Sequence, residues 1–153
     1  MTVAGDVAAH LFASTTGSDA DWVVKLIDVF PDTMPEAELG GYQFMVSADI
    51  LRGRYRTSFT TARPIVPNQV AEYVVRMNQQ LYTFKRGHRI MVQVQSTWFP
   101  LYDRNPQTFV ANIFHARPSD FRARTHRIWR ERARPSDVGV AVVSESSLGP
   151  SPQ

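Results

Sequence analysis

Apolar and polar residues alternate along most of this chain with a period of two, the repeat of a half-buried strand. His88 to Ser96 (HRIMVQVQS) is the clearest case: Ile90, Val92 and Val94 fall on one face, and Arg89, Met91, Gln93 and Gln95 on the other. Val7 to Ser14 (VAAHLFAS) alternates small apolar residues with His10 and Phe12, then stops at the turn cluster Thr15-Thr16-Gly17-Ser18-Asp19. Trp22 to Phe30 (WVVKLIDVF) is interrupted only by Lys25 and Asp28, so it predicts a strand buried on most of both faces. Tyr42 to Ala48, Val70 to Met77, Gln107 to Phe114 and Thr125 to Trp129 are further strand segments. Trp22 and the apolar positions of 23–29 and 90–94 are the expected core.

Helical periodicity is nearly absent, and turn clusters rather than helices separate the strands. That pattern predicts an all-β fold, an antiparallel β-sandwich of about seven strands. After Arg134 the composition turns to Ser, Pro and Gly (RPSDVGVAVVSESSLGPSPQ), without a periodic apolar face. The expected division is a module over residues 1–132 and a disordered tail over 133–153.

Charge changes this picture in one place. Seven arginines lie between Arg117 and Arg134 against Asp120 and Glu131, a block of net +5 in a chain of net +3. Nucleic acid would need these arginines on one face. On a strand, Arg122 and Arg124 would fall opposite Arg127. A charged edge guarded against self-association, or an interface with an acidic partner, is the better expectation. No apolar run reaches the ~18 to 20 residues of a membrane helix, and MTVAGDVAAH lacks the basic start of a signal peptide. The chain is therefore expected to be soluble, without a membrane partner.

Candidate chemistry is sparse. The chain has no cysteine, which removes disulfides, thiolate metal sites and a cysteine nucleophile together. No serine has glycines both two residues before and two after it, so the nucleophile elbow of α/β-hydrolases is missing. His10, His88, His115 and His126 are dispersed, without metal-ligand spacing, and no Gly-rich phosphate loop occurs, so no cofactor is expected. Asp19 and Asp21, flanking Ala20 in a turn, offer two oxygens toward Ca²⁺, which takes 6 to 8. Solvated loop carboxylates are the simpler expectation.

Four tracts carry a resemblance. Ser96 to Thr108 (STWFPLYDRNPQT), the preceding GHRIMVQVQS, the upstream SDADWVVKLIDVFPD and LRGRYR occur in one order over roughly residues 3 to 130. Together they resemble the C-terminal jelly-roll domain of the X-Pro dipeptidyl-peptidase, cocaine esterase and α-amino-acid ester hydrolase (glutaryl acylase) family of serine hydrolases. The resemblance implies a galactose-binding-domain-like jelly roll that follows an α/β-hydrolase domain with a Ser-Asp-His triad and a helical cap. It also implies that the catalytic histidine lies upstream of this module, where none of the four histidines falls. Met1 to Gly5 sits inside the first strand motif, so the hydrolase domain is expected to be missing here, and Arg132 onward departs from the family pattern.

The function so implied is a non-catalytic module that supports the hydrolase domain and walls its substrate cleft, in a family that hydrolyses esters or amides. A free-standing jelly-roll binding module for carbohydrate or protein is the alternative. Within the signature, Phe99 and Pro100 are expected to close the sandwich. Asp103 and Arg104 should pair with each other or with neighbouring loops, and Asn105-Pro106 should make a turn. Trp98, Leu101 and Tyr102 are expected on the surface that docks the hydrolase domain.

Overall fold

The computed structural model describes residues 1–143. Among them nine strands follow one another: β1 (Thr2–Thr15), β2 (Asp21–Val29), β3 (Gln43–Arg52), β4 (Ala71–Thr83), β5 (Arg89–Gln95), β6 (His126–Ile128), β7 (Arg130–Glu131), β8 (Arg134–Pro135) and β9 (Asp137–Val143). Among the described residues only single 3₁₀ turns interrupt the connections, and no helix is long and apolar enough to cross a membrane. Every strand pairing is antiparallel. One sheet runs β4-β1-β6, with β9 also on β1; the other runs β3-β2-β5. Their inner faces meet in one core that includes Val7, Leu11, Trp22, Leu26, Tyr73 and Val75. This is the expected jelly-roll sandwich.

Local alternation explains the central strands. On β1 the odd positions Val3, Val7, Ala9, Leu11 and Ala13 are buried. The register with β4 slips between Gly5 and Val7, and Gly5 takes a φ of +127°, which a Cβ would oppose. The slip switches the inward parity of β4: Tyr73, Val75 and Met77 face the core before it, while Tyr82 packs there after it. A one-residue shift moves side chains to the other face, so the bulge is what brings Tyr82 inward at the end of β4. β2 lies between β3 and β5 and is buried on both faces, as its apolar run, interrupted only by Lys25 and Asp28, predicts.

Three expectations are corrected. Ile90, Val92 and Val94 do share a face, opposite Asp28, Leu26 and Val24 of β2. Ile90 is nonetheless 50% exposed and Val92 45%, because β5 is an edge strand that the second sheet does not fully cover. Residues 107–114 form no strand. Gln107 has a φ of 63°, outside the extended region, and the tract runs across one end of the sandwich instead. The expected tail is also partly ordered: β7 and β8 form a hairpin, and β9 pairs with β1 from Asp137↔His10 to Val143↔Thr2. Val138 and Val140 pack against the core while Gly139 and Ala141 alternate with them. Such small intervening residues mask a period of two. Residues 144–153 of that expected tail lie outside the described residues.

Candidate functional site

The signature tract lies at the end of the sandwich where β1, β3 and β5 finish and β2 and β4 begin. The 15–21 turn is the hub. Its backbone accepts from Asn68 N–H at Thr15 O (2.7 Å) and from Ile65 N–H at Ser18 O (2.8 Å). Ser18 Oγ accepts from Phe109 N–H at 2.9 Å, and Thr16 N–H donates to Thr125 O at 3.0 Å. The two long connections, 53–70 and 96–125, are therefore each tied twice to one turn.

Beneath them sits a buried ionic network. Asp19 is fully buried; its Oδ1 accepts from Ala20 N–H at 2.9 Å and its Oδ2 from Arg54 Nε at 2.8 Å. Arg54 Nη2 stands 2.6 Å from the same oxygen, and the guanidinium lies 4.7 Å over the Phe109 ring. Gly53 makes this possible, since a Cβ there would come 2.7 Å from Ile65 Cδ1 and 2.9 Å from Ala20 O. Asp21, equally buried, accepts at Oδ1 from Asn105 Nδ2 at 2.8 Å, while Asn105 Oδ1 accepts from Gln107 N–H at 2.8 Å. Burial pushes the Asp21 carboxyl up to about 6, although the Asn105 hydrogen bond and the Arg52 charge pull it back.

Asp19 and Asp21 are thus neither solvated loop residues nor free calcium ligands: a guanidinium and an amide hold them. Among the described residues no group of three or more His, Cys, Asp or Glu side chains gathers where a metal ion would sit.

The signature residues divide into an anchored and an exposed set. Asn105 is the buried anchor, and its role goes beyond the expected turn. Trp98 packs against Tyr102 at 5.9 Å and takes the Lys25 ammonium 4.8 Å above its ring. That places Trp98 and Tyr102, both partly buried, against the outer face of β2. Asp103 and Arg104 do not pair with each other. Asp103 approaches Arg52 at 3.9 Å, while Arg104 lies 5.6 Å over the Phe121 ring. Phe99 does not close the sandwich: it and Leu101 are each 65% exposed, and Pro100, joined to Phe99 by a cis peptide, is exposed too.

Arg52, Arg54, Tyr55, Asn112, Ile113 and Phe114 line an open pocket of about 480 Å³ beside this network. The sequence reading missed Arg54 as the counter-ion. The register Asp21↔Arg52 brings the end of β3 to the start of β2, and only that pairing makes the match visible.

The opposite end holds a third buried carboxylate. Asp28 Oδ2 accepts from Tyr82 O–H at 2.7 Å, and both Asp28 oxygens stand 2.9 Å from His88 Nδ1. Burial, with the bond to Asp28, pushes Tyr82 up to about 12. His10 meets Glu72 at 2.9 Å. Among the described residues no serine hydroxyl is hydrogen-bonded to a histidine, so no nucleophile and base are brought together. The arginine block is spread over exposed loops, β6 and the β7–β8 hairpin, with Arg134 paired to Glu131 and lying 5.0 Å over Trp129.

Known proteins are similar to this chain in sequence and fold. Residues 1–139 match the family described as the X-Pro dipeptidyl-peptidase C-terminal non-catalytic domain. Cocaine esterase of Rhodococcus sp. (strain MB1 Bresler) is 34% identical over 143 residues, 94% of this chain and 23% of that protein. An aminopeptidase structure from a marine sediment Thaumarchaeota archaeon superposes with a TM-score of 0.91 and 59% identity, over 94% of this chain and 24% of that one. An α-amino acid ester hydrolase structure gives 0.90 and 50% identity, over 93% and 23%. The chain therefore spans about a quarter of the length of these relatives. It belongs to the X-Pro dipeptidyl-peptidase C-terminal non-catalytic domain family.

Proposed function

We propose that this module docks in cis against an α/β-hydrolase domain of a serine-type ester or amide hydrolase and helps wall its substrate cleft. The docking surface is the signature tract, Trp98 to Asn105. One observation carries the reading: this loop end is braced inside by buried polar pairs, yet it holds Phe99 and Leu101 out to solvent. Anchored backbone beneath exposed apolar side chains is the make-up of an interface, because pre-ordered contacts lose little entropy on docking.

The module contributes no reacting group. The purified chain should show no turnover of an activated p-nitrophenyl ester above buffer; turnover abolished by a serine-directed phosphonate would refute this. For the docking face, the chain is co-expressed with an α-amino acid ester hydrolase from which the matching quarter has been removed. The two should co-purify, and a Phe99→Asp, Leu101→Asp double variant should bind at least tenfold more weakly with an unchanged melting temperature. Undiminished binding by that variant would move the interface elsewhere.

A further inference from the structure

Where the turn after Arg104 meets the segment around Arg122, two guanidinium groups share a pocket without a matching carboxylate. Ser96, Thr97, Arg104, Asn105, Gln107 and Arg122 line this open cavity of about 320 Å³. Among the described residues neither Arg104 nor Arg122 is in an ion pair, whereas Arg52, Arg54, Arg117 and Arg134 each face a carboxylate. Arg104 is placed by stacking over Phe121 at 5.6 Å, so its charge is positioned and still unmatched. Neighbouring acids are already engaged. Asp103 turns to Arg52, Asp120 accepts from Arg117 N–H at 2.8 Å, and Asp21 is held by Asn105 with the Arg52 and Arg54 charges around it.

The walls of this pocket are fixed by the protein itself. Arg122 N–H donates to Pro106 O at 3.0 Å, which ties the two arginine-bearing segments together. Asn105 is clamped between Asp21 and Gln107 N–H. Gln107 takes a φ of 63°, and its carbonyl lies so close to Gly17 that a Cβ there would collide with it. A second open cavity, of about 340 Å³, adjoins the first. Arg104 and Phe121 line both, and Ala116 and Pro118 complete the apolar side of the second.

We propose that the joined cavities are a binding site for a small aromatic carboxylate. The two guanidinium groups supply positive charge and planar forks of N–H donors that match a carboxylate. The hydroxyls of Ser96 and Thr97 are further donors in the same lining. The body attached to the carboxylate meets Phe121, Pro118 and Ala116, whose carbon surface favours a flat ring. A bare anion leaves that half of the site unused, and a neutral ring leaves the arginines unmatched. The site is complete within this chain, so it stands or falls apart from the docking proposed above.

Titration of the full chain with benzoate, followed by backbone amide NMR, tests this. Saturable shifts are expected at Ser96, Thr97, Gln107 and Arg122, with a millimolar Kd or tighter; their absence would overturn the proposal. Arg104→Gln and Arg122→Gln should each weaken binding at least tenfold, the share of a charge-assisted hydrogen bond. Arg132→Gln, in the turn between β7 and β8, should leave it unchanged. Equal weakening by all three would reduce the effect to general charge and overturn the site. Benzyl alcohol has the ring without the anion, and inorganic sulfate the anion without the ring. Each should bind at least tenfold more weakly than benzoate, and either one binding as tightly would refute an aromatic carboxylate site. The amide spectrum of each variant also reports its fold, and should Arg104→Gln not fold, Arg122→Gln carries the test alone.

Discussion

Replacing Arg54 by Met is expected to destabilise this protein by about 3–5 kcal/mol, the cost of leaving one member of a buried ion pair without its partner. Asp19 is fully buried and receives Arg54 Nε at 2.8 Å. Without the guanidinium its carboxylate keeps only the Ala20 amide. For a domain of this size the loss corresponds to a fall in melting temperature on the order of 10 °C. The double variant Asp19→Asn, Arg54→Met removes both charges while keeping an acceptor for Ala20 N–H, and should recover at least half of the loss. Thermal denaturation of the three proteins decides the matter. A single variant within ~2 °C of wild type would mean that the pair does not brace the loop end.

The second prediction concerns pH. Asp21 titrates at about 6 in the folded chain against 3.8 for an unperturbed carboxyl, chiefly because burial disfavours its charged form. A raised acid takes up its proton in the folded state first, so between about 6 and 4 the native chain binds more protons than the unfolded one. Its contribution therefore destabilises the fold above pH 6 and is relieved as pH falls toward 4. The shift of roughly two units amounts to about 3 kcal/mol at neutral pH. Asp21→Asn keeps an oxygen for Asn105 Nδ2 and should be more stable than wild type at pH 7 to 8 by an amount of that order.

His126 opposes this trend. Burial lowers its pKa below 6.5, so its neutral form favours folding and that contribution is lost as pH falls below 6.5. The difference between wild type and Asp21→Asn across pH 4 to 8 isolates the carboxyl. A difference that does not shrink on acidification would exclude Asp21 as the titrating group.

Both predictions rest on residues that the sequence displays without explaining. Asp19 and Asp21 read as loop carboxylates because they sit among Thr, Gly and Ser. Nothing local announces that Arg54, thirty-five positions later, closes over them. Asn105 reads as a turn residue for the same reason, since its partner Asp21 is eighty-four positions away. Phe99 shows the converse failure: an aromatic beside proline suggests closure, yet the anchoring falls to Trp98, Tyr102 and Asn105, and Phe99 is left outside.

What the sequence determined alone is whatever a period of two can encode. It specified β-structure throughout, the face on which Ile90, Val92 and Val94 lie, the double burial of β2, and the four ordered tracts that mark the family. Whether a given apolar face is covered was decided by tertiary structure, because coverage depends on which strand ends at a sheet edge and how far the opposing sheet reaches. The pairing of buried charges and the recruitment of β9 by β1 were decided there too. These are contacts between residues remote in the chain, and alternation along a strand carries no information about its partner.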